Sequence, residues 1–202
     1  MKTVRKYFSL IRVKELIDLY DRFNTDFLPK INCFSLQTTK PYIDFNWVNG
    51  KPVEINNLSD AFNELGKFHR SNFIKDETTG FSTLCHGDFH AGNIIETNNG
   101  IILIDVAYLH IGNNYDDLDY LDFFNWFESS THPWMIKDKQ YFEKYLEGAK
   151  LKIKKNDQNV LKKTVTKKIL EKFIKNGIKN NIDTNLEKRL LENIKMDLSD
   201  IV

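Results

Sequence analysis

The sequence predicts an α+β fold in which short strands occupy the middle of the chain and helices fill both flanks. Three observations support it. Residues 3–23 carry Leu10, Val13, Leu16, Ile17, Tyr20 and Phe23 at helical spacing, and helical patterning returns from Tyr115 to the end. Ile94 to Thr97 and Ile101 to Ile104 are β-branched runs joined by Asn98-Asn99-Gly100, residues that tolerate the positive φ of a tight hairpin. The composition, 41% hydrophobic and 28% charged, suits a packed core rather than a disordered chain.

The elements follow in order. A helix is expected over 3–23, stopped by Pro29. Ile31 to Leu36 and Tyr42 to Val48 read as adjacent strands, the second ended by Asn49-Gly50. Ser59 is placed to cap a helix whose Ala61, Phe62, Leu65 and Phe68 share one face and which runs to His69 or Arg70. The helical pattern after Tyr115 is interrupted near Ser129 to Pro133, near Asn156 and near Asn180 to Thr184.

Size and charge bound the function. At 202 residues and 23.8 kDa the chain fits one domain, or one and a half. Lys and Arg number 29 against 28 Asp and Glu, a net charge of +1 that makes no electrostatic case for nucleic acid or an anionic membrane. The balance averages two unlike parts: residues 1–150 carry 16 basic and 21 acidic groups, residues 151–202 carry 13 and 7. No run approaches the ~20 apolar residues of a membrane span, and the apolar patch at Tyr7 to Ile11 is too short for a secretory leader. Two cysteines, Cys33 and Cys85, make no disulfide framework, so a cytoplasmic location is expected.

The chemistry is concentrated between Cys85 and Asp105. Pairing the hairpin antiparallel sets Asp105 opposite residue 92, 93 or 94, so Asn93 and Asp105 emerge together at its open end. A carboxylate and an amide oxygen converging there suit Mg²⁺, which combines one or two carboxylates with substrate phosphates. His86-x-Asp88-x-x-x-x-Asn93 has the spacing of the kinase catalytic loop, in which the Asp accepts a substrate hydroxyl proton and the Asn binds metal. Asp105 then stands where the second metal-binding aspartate belongs. Asp105 is followed by Val106-Ala107 rather than Phe-Gly, which argues against an ordinary protein kinase. A metallophosphoesterase built on Asp88-Phe89-His90 would need later Gly-Asp and Gly-Asn-His clusters that the chain lacks.

At these residues, His86-Gly87-Asp88 through Asn93 and then Ile104-Asp105, the sequence resembles the aminoglycoside phosphotransferase and choline kinase family. Gly112 with Asp117-Leu118 downstream, Leu65-Gly66-x-x-His69 upstream, and Asn46-Trp47-Val48-Asn49-Gly50-Lys51-Pro52 extend the likeness over roughly residues 40–125. The resemblance implies a protein-kinase-like fold with a partial N-lobe over residues 1–49 and a mostly helical C-terminal catalytic lobe over 50–202. It implies transfer of the γ-phosphoryl group of ATP (or GTP), with Mg²⁺, to a hydroxyl of a small molecule. Asp88 would be the base, and Asn93 and Asp105 the metal ligands. The backbone of Asn46, Trp47 and Val48 would meet the base of the nucleotide, while His86 and Asp117 would brace the loop. Lys2 and Glu15 would form the phosphate-binding pair. Apart from the resemblance, the acids that cluster with aromatics after Tyr115, Asp116 and Asp122 with Trp126 among them, would suit an amine-bearing substrate. No glycine precedes Gly50, so a Gly-rich phosphate loop is missing from the pattern. The alternative is therefore an impaired kinase-like scaffold or a fragment.

Overall fold

The computed structural model describes residues 2–36, 39–54, 57–77, 80–114, 116–118 and 139–151. Met1–Asp117 and Asp138–Leu151 form one compact unit; of a second, Leu118–Lys137 with Lys152–Val202, only Leu118 is among the described residues.

The N-terminal segment departs from the expected single helix. Thr3–Tyr7 is a strand, β1, and the helix α1 covers Leu10–Arg22. The break has a local cause: Ser9 takes extended backbone angles and its hydroxyl accepts from the Arg12 N–H, so the helix starts after it. Thr-Val-Arg-Lys-Tyr then alternates with period two rather than 3.6. Strands β2 (Ile31–Ser35) and β3 (Tyr42–Asn46) are antiparallel neighbours, as expected, and β1 adds to the other side of β3 to give the order β1-β3-β2. Register places Arg5 opposite Asp44, where a bidentate pair at 2.7 Å for both bonds holds the carboxyl below its usual range. α1 buries Val13, Leu16 and Leu19, a stripe rotated from the one expected, and leaves Leu10 exposed.

Two further sheets carry the loop that matters. Strand β4 (Lys51–Pro52) pairs with β7 (Ile94–Thr97), which pairs with β8 (Gly100–Leu103); β5 (Lys75–Asp76), β6 (Phe81–Cys85) and β9 (His110–Asn113) form the other. Between β4 and β5 runs α2, Leu58–Ser71. Its Ala61, Phe62, Leu65 and Phe68 are all buried on one face, as the spacing predicts. The helix begins before Ser59, with Asn57 at the N-cap, because Leu58 is already fixed in the core. Helix α3, Lys139–Gly148, packs against it; a Cβ on Gly66 would meet the Tyr145 carbonyl, and one on Gly148 the Asn63 carbonyl, so the two backbones touch through glycines. The other helices expected after Tyr115 lie outside the described residues.

Candidate active site

The hairpin fixes the site's geometry. Ile94 stands opposite Leu103 and the Ile104 N–H donates to the Asn93 carbonyl at 2.8 Å, so Asp105 falls opposite Gly92, one of the three expected registers. Asp105 leaves the hairpin in the left-handed region, at φ 61° and ψ 61°. A non-glycine residue held there is strained, and such strain collects where a side chain must be aimed. Its carboxylate is 40% exposed and pairs with Lys6 Nζ at 2.5 Å.

The loop from His86 to Asn93 is anchored at both ends and in the middle. Phe89 is fully buried and packs edge-on against Phe62 of α2 with ring centroids 6.1 Å apart. Asn93 donates its amide N–H₂ to the Asp88 carboxylate at 2.7 Å and to the Asp88 carbonyl at 3.0 Å. With the nitrogen committed, Oδ1 is the atom Asn93 can offer to a cation. His90 accepts from the Gly92 N–H and lies 3.6 Å from the Asp88 carboxylate, which suits a loop-bracing residue.

Behind the loop is a buried polar scaffold. Asp117, with no exposed surface, accepts from the His86 N–H at 2.7 Å, the Gly87 N–H at 2.6 Å and His69 Nε2 at 2.9 Å. Burial alone would raise its pKa; the bond and charge of His69, the charge of His86 and the Gly87 N–H outweigh it and hold the carboxyl low. His69 Nδ1 meets the Tyr145 hydroxyl at 2.9 Å, and Asn114 donates to the same hydroxyl at 2.8 Å. His86 Nε2 donates to the Ile104 carbonyl at 2.8 Å, and burial pushes its imidazole below the ordinary histidine value against the pull of Asp117, Ile104, Asp88 and Asp105. Its Nδ1 is buried with no partner among the described residues. Gly87 has φ +78°, and a Cβ there would strike the Tyr108 carbonyl.

In front of the loop is a cleft of about 360 Å³. It is lined by Val4 and Lys6 of β1, Phe45 to Val48, Pro52, Asn93, Ile95, Ile104 and Asp105. The lining is largely apolar with a few polar groups, Lys6, Asn46, Asn93 and Asp105, the usual build of a small-molecule site. One of those groups is unusual: Asn46 Oδ1 is buried and has no partner among the described residues. The Asn46 and Trp47 N–H groups are spent on the Lys30 and Lys2 carbonyls, while the Val48 N–H has no backbone acceptor among the described residues.

The expected Lys2–Glu15 pair is not made. Lys2 Nζ sits over the Trp47 ring, 3.7 Å from its centroid, and Glu15 pairs with Arg12 on the exposed side of α1. Lys2 and Lys6 have the same parity, but four residues at about 3.3 Å each separate them, so only Lys6 reaches Asp105. The helical spacing expected over 3–23 hides Lys6, whose local signal is the alternation of Val4 and Lys6 against Thr3, Arg5 and Tyr7. Arg12 was also missed: it donates to the Ala107 and Leu109 carbonyls at 3.0 and 2.5 Å, tying α1 to the turn after Asp105. Asp116 turns back to the Asn113 N–H at 3.1 Å, while Asp122 and Trp126 lie outside the described residues.

No family model matches the sequence, and no curated protein matches it. Among solved structures, the chain is similar to an aminoglycoside-3'-phosphotransferase of type VIII, with a TM-score of 0.51 and 12% identity over 79% of this chain and 83% of that one. An amicoumacin kinase, solved in complex with AMP-PNP, Ca²⁺ and Ami, aligns with a TM-score of 0.46 and 11% identity over 82% of this chain and 81% of the other. The first likeness shows a kinase-like α+β fold.

Proposed function

We propose that this chain is a small-molecule phosphotransferase, moving the terminal phosphoryl group of a purine nucleoside triphosphate to a substrate hydroxyl. The observation that carries the reading is one convergence: Lys6, Asn93 and Asp105 line one cleft, with Lys6 paired to Asp105, and Asp88 is bonded to Asn93. The apolar remainder, with Val4, Phe45, Val48 and Ile104, suits the faces of a flat base. Asn46 Oδ1 supplies an acceptor for an exocyclic amine, and the Val48 N–H a donor for a ring nitrogen.

Asp88 is the base. Its carboxylate, oriented by Asn93 Nδ2, takes the hydroxyl proton as the substrate oxygen bonds to the γ-phosphorus and the bridge to the β-phosphate breaks, releasing the diphosphate. Lys6 neutralises phosphate charge from the β1 side. Asn93 Oδ1 and the Asp105 carboxylate are hard oxygen donors at the open end of the hairpin, which fits Mg²⁺. Bound there, the ion supplies positive charge across the phosphates as charge shifts to the leaving oxygen.

Calorimetry with Mg-ATP and Mg-GTP tests the reading. The chain should bind at least one of them, and Asp105→Asn should abolish binding while leaving the circular dichroism unchanged. No detectable binding to well-folded protein would put the scaffold reading in its place.

A further inference from the structure

A cluster of potential metal ligands of a different chemistry forms where β6 meets β9. Register pairs Cys85, the last residue of β6, with His110, the first of β9. Asp116, which follows β9, turns back onto them. The Cys85 thiol, a His110 ring nitrogen and an Asp116 carboxylate oxygen all lie within 4.8 Å of one another. We propose that Cys85, His110 and Asp116 form a zinc site with three protein ligands and one position open to water.

The orientation of the histidine is the strongest argument. His110 Nδ1 lies 2.9 Å from the Tyr108 carbonyl, to which only an N–H can be directed, so Nε2 carries the lone pair of the neutral ring. Metal-binding histidines are held this way, with the second ring nitrogen donating to a carbonyl or carboxylate. Nε2 faces Asp116 Oδ2 at 3.5 Å, an acceptor facing an acceptor across a gap that only a cation or a proton bridges. Two ligands at zinc's usual bond lengths and a tetrahedral angle stand about 3.3 Å apart. The pocket favours positive charge: Asp116 first, then the Tyr108 carbonyl and Asp117, raises the histidine's pKa against its burial.

The backbone makes room for the group. A Cβ at Gly112 would collide with Asp116 Oδ2 and with His110 Nε2, so glycine there lets the two side chains converge. Access is one-sided: Cys85 is fully buried, while the His110 and Asp116 side chains are 42% and 30% exposed. An ion would enter from their side, displace the thiol proton to solvent and keep its fourth position wet. One thiolate, one imidazole and one carboxylate select zinc over magnesium, as the all-oxygen set at Asn93 and Asp105 selects the reverse. Occupancy would tie β9 to the residue directly before His86-Gly87-Asp88.

The full chain, stripped with chelator and dialysed, is titrated with Co²⁺ and then Zn²⁺. One equivalent of cobalt should give a thiolate-to-metal charge-transfer band with the visible bands of a four-coordinate ion, and zinc should displace it. Cys85→Ser should remove the charge-transfer band, His110→Gln should weaken affinity at least about tenfold, and Asp105→Asn should change neither. Absence of the thiolate band in the unmodified chain overturns the site, whatever the variants do. So does an affinity unmoved by His110→Gln, or a His110 proton titration unaltered by one equivalent of zinc, which would leave a proton as the only occupant of the gap.

Discussion

Two aspartates twelve residues apart in the chain, Asp105 and Asp117, lie on different sides of the His86–Asn93 loop and have opposite surroundings. Asp117, behind the loop, is wholly buried and answered by three donors, two of them backbone N–H groups of His86 and Gly87. Asp105, in front, is 40% exposed, sits in a left-handed conformation and, among the described residues, pairs with the long flexible side chain of Lys6. A carboxylate saturated by fixed donors holds a loop in place. One with a strained backbone and a flexible lysine can exchange that partner for a ligand. Both regions are acidic, and only geometry separates bracing from binding.

The sharpest way to break this division is to alter each side and read rate and stability separately. Asp88→Asn, on the front side, should lower phosphotransfer by about 10²–10⁴-fold with nucleotide affinity nearly unchanged, measured by nucleotide turnover and calorimetry. Equal losses in both would make Asp88 a structural residue.

Asp117→Ala, on the back side, should act on stability first. It strands two backbone N–H groups and His69 in the core, at a cost of about 3 kcal/mol or more, read as a lower midpoint in urea unfolding. A loss below about 1 kcal/mol would mean that the buried cluster is not what fixes the loop.

The smallest effect is pH-dependent and distinguishes the two histidines that flank the loop. His86 has its folded pKa depressed by burial, so the unfolded chain takes up a proton near pH 6.5 that the fold refuses, and stability falls on acidification from there. His110 is raised by Asp116, so its contribution is fully present below the unfolded pKa and is lost as pH rises through the folded one. In chelator-treated protein, NMR at pH 6.5 should show His86 neutral and His110 mostly protonated. The reverse order would contradict the burial argument.

Much of this was legible locally. The hairpin at Asn98-Asn99-Gly100 needs only turn chemistry and alternation, and the resulting register brought Asn93 and Asp105 to one end. The apolar face of α2 was equally plain from its spacing. β1 was not legible, because Thr3 to Tyr7 is five residues long and leads directly into a helix whose stripe masks it. Ser9 was the local clue, a capping residue two positions after the strand ends. The His69–Asp117 pair joins residues 48 positions apart, and no local preference announces such a contact.

The sequence by itself determined the α+β class, the hairpin and the order in which Asp88, Asn93 and Asp105 appear, since turn preference, periodicity and spacing act over a few residues. Tertiary structure alone decided which lysine meets Asp105. Lys2 and Lys6 have the same chemistry and the same parity, and the choice between them rests on the pairing of β1 with β3 across some forty residues, which places Lys6 in the cleft lining and leaves Lys2, just before the strand, over Trp47. Long-range register, unlike local propensity, is fixed only when the strands meet.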